Sequence, residues 1–236
     1  MPGQPPRDVP GQFARERELV QRVAADGVPV LDVWRPRAAI VLTARERAWM
    51  ESRAAEGFRG RGYAVCVRDT GGGPVALGPG CLCVSWIGPG LRNSSIARSY
   101  EEFCEPLLAA LRSLGIDAAT GTLPGSYCDG TYNLLVRGRK LCGTSQRLYH
   151  SREDSVVRLC HATFTVSPPS LDYLDDLNEF VAAAADAAGY EKALTTCVTE
   201  WLATDDHAQA WALLEKTITA EFADVLARDA ARRVEN

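Results

Sequence analysis

The chain has 236 residues, of which 46% are hydrophobic and 24% are charged, and its formal net charge is −4. A chain of this length can bury one sizeable core, and the small negative charge argues against nucleic acid or an anionic membrane as a partner. No apolar run approaches the roughly 20 residues that a bilayer span needs, and the N-terminus is unlike a secretory signal, so we expect a cytoplasmic protein.

The first part of the chain predicts short strands and one helix. Residues 1–12 hold four prolines and predict a flexible lead into a single domain over residues 13–236. The apolar runs that follow predict two short strands within residues 29–43, a helix over residues 44–58, and buried strands over residues 63–67 and 81–87.

The second part predicts a helix, a hairpin and a helical end. A helix over residues 99–115 precedes a β-hairpin, whose turn we place at Arg137 and Gly138. A strand over residues 156–166 follows, and from about residue 170 the chain is predicted to be helical. Because strands and helices do not alternate regularly, the order favours an α+β fold over a doubly wound sheet.

The chain contains eight cysteines, most of them within apolar runs, so we expect mainly buried thiols rather than disulfides. No Cys-x-x-Cys pair is present, and Cys81 and Cys83 make a poor zinc half-site, so no metal site is predicted. Cys128 differs because its neighbours are those of a turn, including Gly125 and Gly130. We expect Cys128 to be the accessible thiol, either as a nucleophile or as a plain turn residue.

Three glycines, Gly71, Gly72 and Gly73, follow Arg68 at the end of a predicted strand. Bare backbone N–H groups beside a fixed positive charge suit a carboxylate, a carbonyl or a phosphate, although glycine runs also form plain tight turns. Lys140 lies within an apolar strand. Its ammonium either reaches solvent at a sheet edge, which its position alone favours, or points into a polar cavity.

Two segments of the chain together resemble a known family. The segments "RDTGGG" (68–73) and "GSYCDGTYNLLVRGRKLCGTSQR" (125–147) are similar to the two signatures of the lipoate–protein ligase and octanoyltransferase superfamily, which shares its fold with biotin protein ligases. The second segment most resembles the branch of octanoyl-[glycine cleavage H protein]:protein N-octanoyltransferases. The resemblance covers about residues 30–170 and implies a mixed, mainly antiparallel sheet flanked by helices.

The resemblance also implies roles for individual residues. Cys128 matches the nucleophile that takes an octanoyl or lipoyl chain as a thioester, and Lys140 matches the lysine that holds the acyl carbonyl. The residues expected to contact the substrate are Arg68, Gly71, Gly72, Gly73, Tyr132, Gly143 and Ser145. His161, on the strand next to the hairpin, is expected to be either a general base or a buried histidine of the core.

These residue types suit the transfer of an acyl group between two protein lysines. Breaking an amide is difficult in one step, whereas a thiolate divides the reaction into two attacks through a thioester. A lysine ammonium near the thiol can favour the thiolate and stabilise the oxyanion. This chemistry needs no cofactor. The resemblance further implies a lipoyl carrier as partner, either the glycine cleavage H protein or a dehydrogenase lipoyl domain.

Two alternatives stay open. One is an ATP-dependent lipoate–protein ligase that forms an acyl-adenylate with ATP and Mg²⁺, and the other is a carrier-binding protein without catalytic activity. Ala76 and Leu77 stand where ligases and other octanoyltransferases generally carry a histidine, and Tyr132 and Asn133 replace the Asn-Asp pair of adenylate-forming members. Both departures from the family pattern disfavour the ligase.

Overall fold

The structure, a computed structural model, describes residues 5–90, 95–150 and 156–234. Within these ranges the helices are α1 (Val9–Asp26), α2 (Arg53–Gly60), α3 (Ile96–Ser113), α4 (Pro169–Ala185), α5 (Val198–Leu202) and α6 (His207–Val234). The strands are β1 (Val30–Trp34), β2 (Ala39–Leu42), β3 (Ala64–Val67), β4 (Val75–Leu77), β5 (Cys81–Gly90), β6 (Ala119–Gly121), β7 (Asn133–Val136), β8 (Arg139–His150) and β9 (Val156–Thr165).

The strands form two sheets. The larger sheet has the order β1-β5-β9-β8-β7-β6, and the smaller sheet has the order β3-β2-β4. Every pairing in the larger sheet is antiparallel, whereas the smaller sheet contains one parallel pair, β2 with β3. The predicted α+β fold, with a mixed and mainly antiparallel sheet flanked by helices, is confirmed.

Helices cover the outer faces of both sheets. On one face of the larger sheet α3 and α6 pack together, and the Phe222 ring of α6 contacts the rings of Trp86 and Phe103. The smaller sheet and α1 cover the opposite face of the larger sheet. The outer face of the smaller sheet is covered by α2 and α4. Burying apolar faces in this way stabilises the fold and leaves the space between the two sheets for functional side chains.

The long strands β5, β9 and β8 align polar residues in a row. Ser85 of β5 lies opposite His161 of β9, which lies opposite Ser145 of β8. Two residues away from Ser85 and His161 along their strands, Cys83 of β5 lies opposite Thr163 of β9. Because residues two apart in a strand point to the same face, both rows face the smaller sheet and line the space between the sheets.

Most elements lie where the sequence predicts them. The hairpin of β7 and β8 turns at Arg137 and Gly138, whose φ angles of 48° and 75° are those of the favoured two-residue hairpin turn. From Pro169 onward the described elements are helical, as predicted. In the part of the chain that the structure describes, no helix has the length and apolar character to cross a bilayer. The cytoplasmic location stays a prediction.

The first helix differs from the predicted flexible lead over residues 1–12. It begins at Val9 because the Asp8 side chain caps it, accepting a hydrogen bond from the Gly11 N–H group at 2.9 Å. Pro10 fits the first turn, where a helix needs no backbone N–H. The first four residues of the predicted lead lie outside the described residues.

The predicted helix over residues 44–58 is divided in two. A 3₁₀ turn over Arg47–Glu51 is followed by α2, because the Ser52 side chain accepts a hydrogen bond from the Ala55 N–H group and starts a new helix. The predicted helix over residues 99–115 begins earlier, because Ser95 acts as its N-terminal cap. Both differences are local and leave the order of elements unchanged.

Candidate active site

Cys128 lies in the turn before β7. All eight cysteines are free, and Cys128 is partly exposed while the other seven are buried, as its turn-like neighbours predict. Its φ of 45° is uncommon for a residue other than glycine and is typical of constrained functional turns. Its Sγ accepts a hydrogen bond from the Gly73 N–H group at 3.1 Å and lies 3.5 Å from Nη2 of Arg68. The sulfur is thus held between a backbone donor and a guanidinium.

The loop that contains Gly71, Gly72 and Gly73, which we call the glycine loop, surrounds the guanidinium of Arg68. The side chain is buried and donates hydrogen bonds to the carbonyl oxygens of Gly71 at 2.9 Å and Gly73 at 2.8 Å. Gly72 has a φ of 104°, and a Cβ at this position would lie 2.5 Å from the sulfur of Cys128 and 2.9 Å from Nη2 of Arg68. Only glycine permits this approach of the loop to the sulfur.

Lys140 is fully buried behind the Cys128 turn. Its Nζ donates hydrogen bonds to the carbonyl oxygens of Tyr127 at 2.5 Å and Cys128 at 3.3 Å, and it lies 4.0 Å from the centre of the Tyr127 ring. A Cβ on Gly143 would lie 3.3 Å from Cε of Lys140, so this glycine leaves room for the lysine chain. Burial lowers the pKa of Lys140 to about 8. The expectation from position alone, a lysine at a solvated sheet edge, is wrong.

A chain of hydrogen bonds runs from Ser145 to Glu16 along the wall of the site. The Ser145 hydroxyl donates to the Thr70 hydroxyl at 2.9 Å, and the Thr70 hydroxyl lies 3.1 Å from Nδ1 of His161. On the other side of the ring, Nε2 lies 2.9 Å from Oε2 of Glu16. Glu16 is buried and also accepts a hydrogen bond from the Ser85 hydroxyl at 2.5 Å.

The order of these hydrogen bonds determines the tautomer of a neutral His161. Because the Ser145 proton goes to Thr70, the Thr70 proton is free to go to Nδ1. Nε2 then carries the ring proton and donates it to the Glu16 carboxylate. The Phe13 ring stacks on His161 with the ring centres 5.9 Å apart. His161 is therefore fixed on both nitrogens and on one face.

Cys128 and His161 line the same cavity between the two sheets. This cavity, which we call the acyl cavity, encloses about 490 Å³ of space between its walls, including its open side. Its aliphatic and aromatic lining includes Phe13, Trp34, Val41, Val75, Leu77 and Val84. An apolar cavity with a partly exposed thiol in its wall suits a hydrocarbon chain that carries a reactive carbonyl.

The profile of the lipoyl protein ligase A/B catalytic domain matches residues 8–203. The chain belongs to this family. An octanoyl-[GcvH]:protein N-octanoyltransferase of Kyrpidia tusciae is 32% identical over 182 residues, which cover 74% of this chain and 63% of the relative. The chain thus spans less than two thirds of that relative's length. An uncharacterised protein of Cupriavidus necator is 31% identical over 231 residues, covering 87% of this chain and 86% of the relative.

Among solved structures, protein Ta0514 of T. acidophilum with bound lipoic acid is similar to this chain, with a TM-score of 0.68 and 18% identity. The similarity covers 99% of this chain and 92% of the other. At this identity it shows the fold alone. The resemblance to the lipoate–protein ligase and octanoyltransferase superfamily, predicted from the two segments, is confirmed by the family match.

In this lipoyl protein ligase A/B family member, most of the predicted site residues lie around the acyl cavity. Those with a described contact to Cys128 or a place in the cavity lining are Arg68, Gly72, Gly73, Lys140, Gly143, Ser145 and His161. Gly71 takes part through its carbonyl group, which binds Arg68. Tyr132 lies apart: its ring stacks on Tyr100, with the ring centres 4.5 Å apart, and it does not line the cavity.

Sequence reasoning missed Glu16 and Thr70. Glu16 and Gln12 lie on the buried face of α1, between apolar residues such as Val9 and Phe13. Polar residues on the apolar face of an amphipathic helix are costly unless they are paired, so this pattern is a signal in the sequence itself. Thr70 lies inside the "RDTGGG" segment and carries no comparable signal of its own.

Proposed function

We propose that the protein is an acyltransferase that takes an octanoyl or lipoyl group onto Cys128 as a thioester and transfers it to a lysine of a lipoyl carrier protein. The observation that carries this proposal is the position of the Cys128 sulfur, in the wall of an apolar cavity and between the Gly73 N–H group and the Arg68 guanidinium. A thiolate there is stabilised by both donors and can attack a carbonyl whose chain occupies the cavity.

The same donors can stabilise the charge that develops during the attack. As the sulfur attacks, negative charge moves from Sγ to the carbonyl oxygen, and preorganised donors beside the sulfur are close to both positions. Arg68 keeps its charge throughout, because a guanidinium is not deprotonated in proteins. Its hydrogen bonds to Gly71 and Gly73 hold it in place before the substrate arrives.

Lys140 is suited to move a proton in each half of the reaction. With a pKa of about 8, its ammonium is the main form near neutral pH but loses a proton easily. Its bonds to the Tyr127 and Cys128 carbonyls use two of three N–H donors. In the first step the third N–H protonates the departing lysine amine, as the amide C–N bond breaks and the C–S bond forms. In the second step the neutral Lys140 amine takes a proton from the attacking acceptor lysine, as the C–S bond breaks.

His161 is less suited to act directly on the thiol. Its two nitrogens are engaged by Thr70 and Glu16, and the hydrogen bonds described for the Cys128 sulfur come from Gly73 and Arg68. These contacts favour a role in shaping the cavity wall. General-base catalysis by His161, and substrate binding by Tyr132, stay predictions.

The proposed partner and acyl group follow from the relatives. The Kyrpidia tusciae protein is named for transfer from octanoyl-GcvH to another protein. We infer that a lipoyl carrier presents its acylated lysine to the open side of the acyl cavity, where Cys128 is partly exposed. The residues proposed for the transfer are protein groups alone, so the reaction written here needs no cofactor.

The test is the intact mass of the protein after incubation with an octanoylated carrier domain. We expect wild-type protein and the matched control Cys197→Ala, which removes a buried thiol, to gain the mass of one octanoyl group. Cys128→Ala should gain none and should transfer no octanoyl group to a second carrier. Transfer by Cys128→Ala at the wild-type rate would refute the covalent step.

An ATP-dependent lipoate–protein ligase is the second candidate, because the matching family includes lipoyl protein ligases. In the structure, however, the Gly73 N–H group and the Arg68 guanidinium lie against the Cys128 sulfur, an arrangement that suits a thiol nucleophile better than an acyl-adenylate. Pyrophosphate release on mixing with ATP, Mg²⁺ and lipoate would identify the ligase. Carrier binding without acylated Cys128 would identify a protein that only binds the carrier.

A further inference from the structure

A second cavity adjoins the acyl cavity at Tyr127 and Thr163, which line both. It holds about 340 Å³ including its opening. The edge strand β4 separates the two cavities elsewhere: Val75 and Leu77 line the acyl cavity, and Ala76 lines the second cavity. This division follows from the alternation of side chains along a strand. The two cavities thus lie on opposite sides of β4 and meet beside Tyr127.

The lining of the second cavity combines an apolar wall with a buried hydroxyl group. Its wall on the α4 side is apolar and includes Leu171, Leu174 and Leu177. Thr195 also lines it and is 6% exposed, and its hydroxyl has no hydrogen-bond partner among the described residues. Buried hydroxyl groups normally have a partner, so a ligand or an ordered water in this cavity would satisfy Thr195.

Tyr127, together with Thr163, lies where the two cavities meet. Its carbonyl oxygen accepts the hydrogen bond from Lys140, and its ring packs against the same Nζ atom. Burial raises the pKa of Tyr127, so the phenol stays neutral in the wall. Tyr127 and Cys128 both line the acyl cavity, so an acyl group on the sulfur shares this cavity with Tyr127.

We propose that Tyr127 determines acyl-chain length by confining the chain on Cys128 to the acyl cavity and excluding it from the second cavity. The inference rests on the proposed acyl transfer to Cys128 and extends it to the choice of substrate. Without the Tyr127 ring, the joined space on both sides of β4 admits chains longer than octanoyl.

The test compares the rates at which octanoyl, dodecanoyl and hexadecanoyl N-acetylcysteamine thioesters acylate Cys128, measured by intact mass. We expect Tyr127→Leu to raise the dodecanoyl-to-octanoyl rate ratio at least about tenfold, the scale on which apolar pockets discriminate chain length. Tyr127→Phe, which keeps the ring, should keep the wild-type ratio. Adding Ala76→Phe to Tyr127→Leu refills the second cavity and should lower the ratio again. An unchanged ratio in folded Tyr127→Leu protein overturns the proposal. If Tyr127→Leu does not fold, Tyr127→Met replaces it and is expected to raise the same rate ratio.

A separate binding measurement distinguishes this proposal from the proposed function. If wild-type protein forms no thioester with any probe, the covalent step fails, but the Tyr127 wall can still be tested by calorimetry. Octanoyl and dodecanoyl amides of the same probe are titrated into Cys128→Ala protein with and without Tyr127→Leu. A gain in relative affinity for the dodecanoyl chain in the Tyr127→Leu background supports the proposal that Tyr127 confines the chain. An unchanged preference, or no binding of either chain, overturns it.

Discussion

The Arg68 guanidinium lies 3.5 Å from the sulfur of Cys128, although the two residues are 60 positions apart in the chain. Lys140, which the sequence predicts as the cation beside the thiol, instead donates its hydrogen bonds to the carbonyl oxygens of Tyr127 and Cys128. The two cations therefore differ in what they contact. We expect Arg68 to stabilise the thiolate, and Lys140 to hold the turn and exchange a proton.

Replacing Arg68 with methionine is expected to slow acylation of Cys128 by about 10²–10³-fold, because a preorganised charged donor is lost from the reacting sulfur. The acylation rate of Arg68→Lys should fall between those of the wild-type protein and Arg68→Met. A lysine keeps the charge but cannot reproduce the forked contacts to Gly71 and Gly73. The measurements are the rate of octanoylation and the rate of alkylation by iodoacetamide at neutral pH. Arg147→Met, which removes an exposed arginine near the same loop, is the control. Wild-type rates in Arg68→Met would contradict the assignment.

Gly72→Ala is expected to impair the site more than Gly71→Ala. At Gly72 the backbone has positive φ and an added Cβ would lie 2.5 Å from the Cys128 sulfur, whereas a Cβ at Gly71 meets no atom within 4 Å. Backbone strain at Gly72→Ala is expected to lower the free energy of unfolding by on the order of 1–3 kcal/mol. The clash with the sulfur is expected to displace the loop and slow the reaction. Unfolding in urea and the octanoylation rate measure the two effects. Equal losses in both variants would show that contact with the sulfur is unimportant.

The sequence was sufficient to predict the partly exposed thiol and the glycine loop, because each lies within one short segment whose composition is unusual. It misplaced the Lys140 side chain because the groups that receive it, the carbonyl oxygens of Tyr127 and Cys128, come from a turn that only the folded hairpin brings near. Apolar neighbours along one strand do not reveal a polar contact made by backbone atoms of another segment.

The wall containing His161 illustrates a second limit. Ser85, His161 and Ser145 meet because three strands pair in one register, and a shift of one residue would turn each side chain to the opposite face. The strands themselves are visible as apolar runs, which is why the fold class was predictable. Their register, and the contact of His161 with Glu16 from α1, depend on long-range packing that a local pattern does not contain.

Lys140 is expected to make stability depend on pH in the alkaline range. Burial lowers its pKa from 10.5 to about 8 in the folded protein. Between these values the unfolded chain holds a proton that the folded protein has released, so the contribution of Lys140 to the free energy of unfolding rises with pH. Below about pH 8 the buried ammonium costs roughly 3 kcal/mol of stability, and above about pH 10.5 this cost is absent.

The measurement is urea unfolding of wild-type and Lys140→Met proteins across this pH range. Wild-type protein should gain stability relative to the variant as pH rises from about 8 to about 10.5. Burial raises the pKa of thiols such as Cys104 to about 12, which lowers stability at alkaline pH, but this contribution is shared by both proteins and cancels in the difference. Lys216→Met, at an exposed position, is the control and should show a flat difference. A flat difference for Lys140→Met as well would contradict the buried ammonium.

Glu16 is expected to stabilise the protein by holding His161. Its carboxylate binds Nε2 of His161 and accepts a hydrogen bond from the Ser85 hydroxyl. In Glu16→Gln the amide offers one carbonyl oxygen for these two donors, so one buried polar group loses its partner, at a cost of about 1–3 kcal/mol. Urea unfolding measures the loss, with Glu18→Gln on the exposed face of α1 as the matched control. Nitrogen chemical shifts of His161 should report a proton on Nε2 in the wild-type protein and a changed tautomer balance in Glu16→Gln. Equal unfolding free energies for the two variants, with an unchanged His161 spectrum, would mean that this hydrogen bond contributes nothing to the wall.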